Sequence, residues 1–365
     1  MSEFYEGSLE ELVKHVELSQ TARKTIEGHY NMISQLVDNN FEGKVEVFPQ
    51  GSYKLNTAVR PHNGSEDDYD VDIVVKSENI MDPEELRNKI YKILINHYGA
   101  DKVEEKKRAF RVDFNGSHVD VVPAIDSQRS DIEVTNRKED FRLEYLPSSP
   151  QKLITWFKSK GELSQGKVSL ASIEPLTPLN GNCRLSKVVK LLKFHRDNYF
   201  DEHINSEFKP ISMIITIISG QVIERDSKTL EEALKNVVNS MRRFLEDSKD
   251  ECGIYHIFNP INKKEDFADK WTTKVELKTT FFEWLGDLEK TFLFEVQNRQ
   301  QVKEVWSSRF GEDLTQNVMT KSMNINADKI KSGELSVVHG QIIKETNKNI
   351  EPHTFYGSEV LHEEK

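Results

Sequence analysis

The sequence predicts an α+β protein: an N-terminal domain of mixed strands and helices, followed by a helical lobe. Three observations carry this prediction. Up to Pro150, helical patterns are interleaved with short β-rich runs. Two alternating segments flank Asn115-Gly116, a hairpin-turn dipeptide. From Leu185 onward helical periodicity dominates. At 365 residues the chain is long for one core and suits two lobes.

Ser8-Leu9-Glu10-Glu11 reads as a capping box, with Ser8 as N-cap and Glu11 as its partner. Ala22, Ile26, Ile33, Leu36 and Val37 fall at helical spacings, which predicts one long amphipathic helix to about Asn39. Short strands follow at 44–48 and 72–75. Residues 83–98 form a helix capped by Asp82, with Pro83 at its first position and Leu86, Ile90, Ile93 and Leu94 along one face. Segments 109–114 and 118–122 are the arms of the hairpin. The Gly-, Ser-, Pro- and Asn-rich stretch 161–182 is a linker or loop, and 185–198, 210–224, 228–247 and 276–299 are helices. After Phe310 the chain is polar and weakly periodic, and no structure is assigned to it.

Composition narrows the function. A mean hydropathy of −0.62 describes an ordinary soluble protein. The longest apolar run, Ile214-Ile215-Thr216-Ile217-Ile218, is far too short to cross a bilayer. The N-terminus MSEFYEGSLEELV lacks the basic and apolar regions of a signal peptide. Cys183 and Cys252 are distant and lack metal-ligand spacing, so two buried or semi-buried reduced thiols are expected. These features place the protein in the cytoplasm without a membrane partner. Its net charge of −11 argues against tracking a long nucleic acid and for small, metal-complexed anionic ligands.

The chemistry concentrates in Asp70-Val71-Asp72. Residues i and i+2 of a strand point to one face, so both carboxylates project together, and Asp68 shares their phase. Like charges at the start of the apolar run Ile73-Val74-Val75 repel one another, and a divalent cation removes that cost. Taken alone, the motif is equally an acidic loop, Glu66-Asp67-Asp68, running into a strand. Asp120, within His118-Val119-Asp120-Val121-Val122, is a third carboxylate in an apolar strand, and Asp113 on the partner arm is a decoy of the same kind. If the hairpin lies beside the Asp72 strand, three carboxylates can hold two Mg²⁺ about 3.5–4 Å apart, the geometry of phosphoryl transfer. Gly51-Ser52, at the start of a short helix after strand 45–48, suits an anion. Arg184, Lys187, Lys190, Lys193 and Arg196 lie along a helix whose strict spacing of three drifts around the axis, so one or two of them can face a cleft.

In this order the pieces resemble the template-independent nucleotidyltransferases of the DNA polymerase β superfamily, and within them the bacterial CD-NTases related to cyclic GMP-AMP synthase. The resemblance rests on Gln50-Gly51-Ser52-Tyr53, Asp70-Val71-Asp72, Val119-Asp120-Val121-Val122-Pro123, Leu191-Leu192-Lys193, Pro210-Ile211-Ser212, and Asn259-Pro260 before Trp271. It implies a polymerase-β-like core (1–165) with a mixed sheet, a helical lobe (166–310) and an unassigned tail (311–365). A long N-terminal helix braces the lobes, and the active site lies in the cleft. Asp70, Asp72 and Asp120 would be catalytic and hold two Mg²⁺, with Mn²⁺ as an alternative ion. Gln50, Gly51, Ser52, Lys190, Lys193 and Ser212 would hold the donor triphosphate. Met213 stands where relatives place an aromatic residue against the donor base. The implied activity joins NTPs, ATP among them, into a cyclic di- or trinucleotide with release of pyrophosphate. It serves anti-phage signalling (CBASS) by a monomer whose product is read by a downstream effector. The alternatives are a nucleotidyltransferase with the same core acting on RNA, a protein or a small molecule, and a catalytically silent nucleotide-binding protein.

Overall fold

The computed structural model describes residues 2–61, 69–114, 117–127, 131–161, 172–176, 183–201, 206–332, 335–338 and 341–344. Glu66-Asp67-Asp68, Asn115-Gly116 and most of segment 161–182 lie outside these residues. The chain divides into two compact units, Val16–Leu293 and the combination of Met1–His15 with Phe294–Lys365.

The N-terminal segment forms two helices where one was expected, α1 (Ser2–Val16) and α2 (Gln20–Asn40). The break is local: Ser19 is extended, and its hydroxyl accepts from the Ala22 amide at 3.1 Å, capping α2. Ser8 caps nothing. It is buried within α1 and donates to the Phe4 carbonyl at 2.8 Å. Helix α1 begins upstream of it because Phe4 and Tyr5 are themselves buried.

In the larger unit, strands β1 (Val45–Gln50), β2 (Tyr69–Ser77), β3 (Val103–Glu105), β4 (Phe110–Asp113) and β5 (Ser117–Asp126) form a sheet in the order β1-β2-β5-β4-β3. Strands β2 and β5 are parallel, and the other pairs are antiparallel. Strand β5 continues into the meander β6 (Ile132–Arg137) and β7 (Leu143–Ser148), two strands the sequence reading did not anticipate. One turn of helix, α3 (Gly51–Lys54), follows β1, and α4 (Pro83–Tyr98) follows β2 with Asp82 capping it as expected.

Alternation sorts the two faces of the sheet. Val71, Ile73, Val119, Val121, Phe110 and Val112 pack with α2 and α4 in one core. The opposite face carries Phe48, Val74, Val122, Ala124 and Val134 toward the β6 side and charged residues toward the other end. The short segment 172–174 runs along the outer edge of β1. The Val47 amide donates to Ser172 at 2.7 Å, and the Glu174 amide donates to Val47 at 2.8 Å.

Helix α5 (Pro150–Lys160) leads from the sheet, and α6 (Arg184–Asp201), α7 (Ser212–Val222), α8 (Leu230–Asp247) and α9 (Val275–Phe292) build the helical part. The last ends earlier than its periodicity suggested. Cys183 is buried, whereas Cys252 is exposed, contrary to expectation. No helix among the described residues is long and apolar enough to cross a membrane.

The smaller unit joins α1 to α10 (Arg299–Phe310), α11 (Glu312–Lys331) and the hairpin β8 (Leu335–Val338) and β9 (Gln341–Lys344). Here the polar stretch beyond Phe310 proves helical. Tyr5 packs against Trp306 and Phe294, and Gly7 lies so close to Ser322 that a Cβ would meet its hydroxyl at 2.6 Å.

Candidate active site

The register of the sheet aligns one row of side chains across five strands. Gln50 pairs with Asp72, Asp72 with Asp120, Asp120 with Arg111, and Arg111 with Glu104. The adjacent row, two residues away and on the same face, sets Asp70 beside His118 and His118 beside Asp113. The hairpin therefore lies beside the Asp72 strand, and Asp70, Asp72 and Asp120 share one face.

Arg111 holds two of these carboxylates. Its Nε donates to Asp120 Oδ1 at 2.8 Å and its Nη2 to Asp120 Oδ2 at 3.0 Å, while Nη2 lies 3.3 Å from Asp70 Oδ1. Asp72 is less well compensated. Burial, then the charges of Asp120 and Asp70, push its carboxyl up to about 7 against the pull of Arg111 and Lys193. The donor chemistry, three oxygen-rich groups in mutual repulsion, fits a hard divalent cation. Among the described residues no three carboxylates converge on one point, and both oxygens of Asp120 are turned to Arg111.

Gly51 is required by Asp72. Its φ of +69° is a left-handed conformation, and a Cβ there would meet Asp72 Oδ2 at 2.0 Å. The glycine thus lets the turn after β1 close over the carboxylate, a tighter reason than the phosphate approach suggested by sequence. The Ser52 carbonyl accepts from the Thr57 amide at 2.8 Å, closing the loop that follows.

Helix α6 grips that loop from behind with Ser186, Lys190 and Lys193, spaced along one helix face. Ser186 donates to the Leu55 carbonyl at 3.1 Å and Lys193 to the Thr57 carbonyl at 2.8 Å. Lys190 is fully buried and donates to Glu17 at 2.6 Å and Asn56 at 3.2 Å, so its charge is neutralised within the protein. Lys193 is 3% exposed, and burial, followed by the charge of Arg196, pushes its ammonium down to about 7. The Ser212 hydroxyl accepts from Arg196 Nη1 at 3.0 Å, which ties the start of α7 to α6.

A cleft of about 1070 Å³ opens on the charged face. Gln50, Asp72 and Asp120 line its base, and Lys106, Lys107 and Arg108 of the β3–β4 turn line one side. Ile211, 52% exposed, lines it from the helical side, the position expected of Met213. Arg111 was not among the residues expected at the site, although it shares the strand and the phase of Asp113. Its signal is a second charge on the face opposite the buried Phe110 and Val112.

Residues 5–160 match the family described as Second Messenger Oligonucleotide or Dinucleotide Synthetase domain. The chain is 27% identical to a c-di-GMP synthase of Roseivirga ehrenbergii, over 96% of this chain and 97% of the relative. It is 22% identical to the cyclic dinucleotide synthase CdnG of Bradyrhizobium diazoefficiens, over 91% of this chain and 85% of that one. The solved structure of the Bradyrhizobium diazoefficiens CD-NTase CdnG in complex with GTP aligns with a TM-score of 0.68 at 19% identity, covering 87% of this chain and 99% of that chain. The likeness is one of fold: the α+β core shares the polymerase-β-like fold of that structure. Residues 5–160 are thus similar to that synthetase family, and the chain as a whole is similar to two cyclic dinucleotide synthases.

Proposed function

We infer that this protein joins nucleoside triphosphates into a cyclic di- or trinucleotide and releases pyrophosphate. The observation that carries the reading is the pairing of Asp72 with Asp120 across parallel strands β2 and β5, with Asp70 in phase, at the base of a cleft large enough for nucleotides. Asp70, Asp72 and Asp120 would hold Mg²⁺ or Mn²⁺, which supplies charge neutralisation to the triphosphate and acidity to an acceptor hydroxyl. Asp120 orients the acceptor ribose hydroxyl and takes up its proton. The Gly51-Ser52 turn holds the donor triphosphate beside Asp72. Lys193, behind that turn, adds positive charge. Lys190 serves as a brace through Glu17 and Asn56, and Ser212 positions the start of α7. The relative named c-di-GMP synthase and the CdnG complex with GTP support GTP as a substrate here, alongside ATP. The cyclic product acts as a second messenger read by an effector in anti-phage defence, in the cytoplasm.

The test is product formation. Pure protein is incubated with Mg²⁺ and α-labelled NTPs, singly and mixed, followed by phosphatase treatment and mass analysis. A phosphatase-resistant product without free ends, absent from the Asp70→Asn/Asp72→Asn double variant, is expected. Activity persisting in that variant would remove the site assignment.

One observation favours a second reading. Lys106, Lys107 and Arg108 line the cleft, and a basic wall suits an RNA acceptor. A gel shift with tRNA at physiological salt, together with nucleotide addition to it, would establish that alternative.

Lys193→Ala is expected to raise the apparent KM for NTP about tenfold, read by steady-state kinetics. An unchanged KM would leave Lys193 as a brace on the Thr57 loop alone.

A further inference from the structure

We propose that Arg111 is a built-in counter-cation that holds Asp120 and Asp70 when the site carries no metal, and that it must release Asp120 before divalent cations load. The inference rests on the reading that the three carboxylates bind metal, and it adds a determinant of the metal threshold.

The geometry sets Arg111 apart from a supporting arginine. A guanidinium that merely orients a metal ligand leaves one carboxylate oxygen to the metal. Arg111 instead covers both oxygens of Asp120, at 2.8 and 3.0 Å, in a two-point fork. It also reaches Asp70 at 3.3 Å, so one side chain spans two of the three carboxylates. The charge is permanent, since arginine does not deprotonate in proteins. A divalent cation entering among these groups therefore meets a fixed positive charge and an Asp120 whose two oxygens each already accept from it, with only their remaining lone pairs open.

Release is built into the same row. Glu104 on β3 pairs in register with Arg111 on the side away from Asp120. The Arg111 side chain is 27% exposed, and its partner Asp120 lines the cleft, so the guanidinium can leave Asp120 without unpacking the core. Glu104, now paired with Lys106 at 2.6 Å, offers a carboxylate on the neighbouring strand to receive it. Arg111 thus has two partners, Asp120 when metal is absent and Glu104 when metal is present.

The test measures metal binding without turnover. Mn²⁺ is titrated into the metal-free full-length protein, with and without a non-hydrolysable ATP analogue, and free Mn²⁺ is read by electron paramagnetic resonance. Arg111→Gln is expected to bind Mn²⁺ at least about tenfold more tightly than the parent. Arg111→Lys, which keeps the charge but cannot cover both oxygens, is expected to fall between them. If Arg111→Gln folds poorly in chelator, Arg111→Lys alone decides the matter by the same order of affinities. Equal or weaker Mn²⁺ binding in the variants, with the parent binding normally, overturns the role of Arg111 and leaves the metal site intact. No Mn²⁺ binding by parent or variants under either condition overturns the metal site itself, and this proposal with it.

Discussion

Asp72→Asn is expected to abolish product formation, by at least about a hundredfold to a thousandfold, while making the metal-free protein more stable at neutral pH. The two effects have one cause. Folding buries the Asp72 carboxyl and sets it beside the charges of Asp120 and Asp70, so its pKa rises to about 7 from an unfolded value near 3.9. Between those two values the folded state binds more protons than the unfolded state, so stability falls as pH rises. Below about pH 4 the carboxyl is protonated in both states and no cost remains. Above about pH 7 the cost is complete, roughly 2–3 kcal/mol after allowance for the partial exposure of Asp72. Asparagine carries no charge and escapes it. In chelator the melting temperature of Asp72→Asn should exceed that of the parent by about 2–4 °C at pH 8. The difference should vanish by pH 4. A variant that melts lower than the parent at pH 8 would show that Asp72 is well compensated without metal, contrary to the electrostatics described here.

Gly51→Ala should be nearly as damaging to activity, although it adds only a methyl group. Two penalties coincide at this position. An alanine at φ +69° costs about 1 kcal/mol or more. Its Cβ would also overlap Asp72 Oδ2, and the atom that must yield is the carboxylate on which the site depends. A shift of about 1 Å at a reacting centre can cost on the order of a hundredfold in rate, which is the expected loss here. The specific claim is coupling, and a double-mutant cycle on stability measures it. Gly51→Ala in an Asp72→Ala background should cost less than in the parent, by about 1 kcal/mol, because the colliding carboxylate is gone. Strict additivity would reduce Gly51 to a backbone requirement unrelated to Asp72.

The parts of this site visible in the sequence were those set by local geometry. Asp70 and Asp72 share a face because a strand repeats every two residues, and the hairpin arms around residues 115–116 alternate for the same reason. Pairing between β2 and β5 depends on a parallel crossover through α4, which no local pattern fixes. Burial was misjudged where a polar group has a distant partner. Lys190 reads in the sequence as a lysine for the triphosphate, and nothing local signals its partners Glu17 and Asn56, 173 and 134 residues away. The break after α1 left no Pro or Gly to betray it, only Ser19. Helix α11 is weakly amphipathic by composition because part of its contact is with small and polar groups, Ser322 against Gly7 among them.

The strand edge at β1 bears on how this protein can be cut. The family match ends at Lys160, which invites expression of residues 5–160 as a minimal catalytic piece. Such a fragment would lack Ser172–Glu174, whose backbone closes the outer side of β1 through Val47. It would also lose two ties made by Glu174, the Tyr30 hydroxyl on its carbonyl and Lys54 on its carboxylate, both at 2.5 Å. What remains is an edge strand, Val45–Gln50, paired with β2 on one side and open on the other, a template for intermolecular pairing. The segment after α5 therefore acts as a seal against self-association, and the smallest soluble fragment of the sheet should extend at least through Leu176, which is itself buried in the same core.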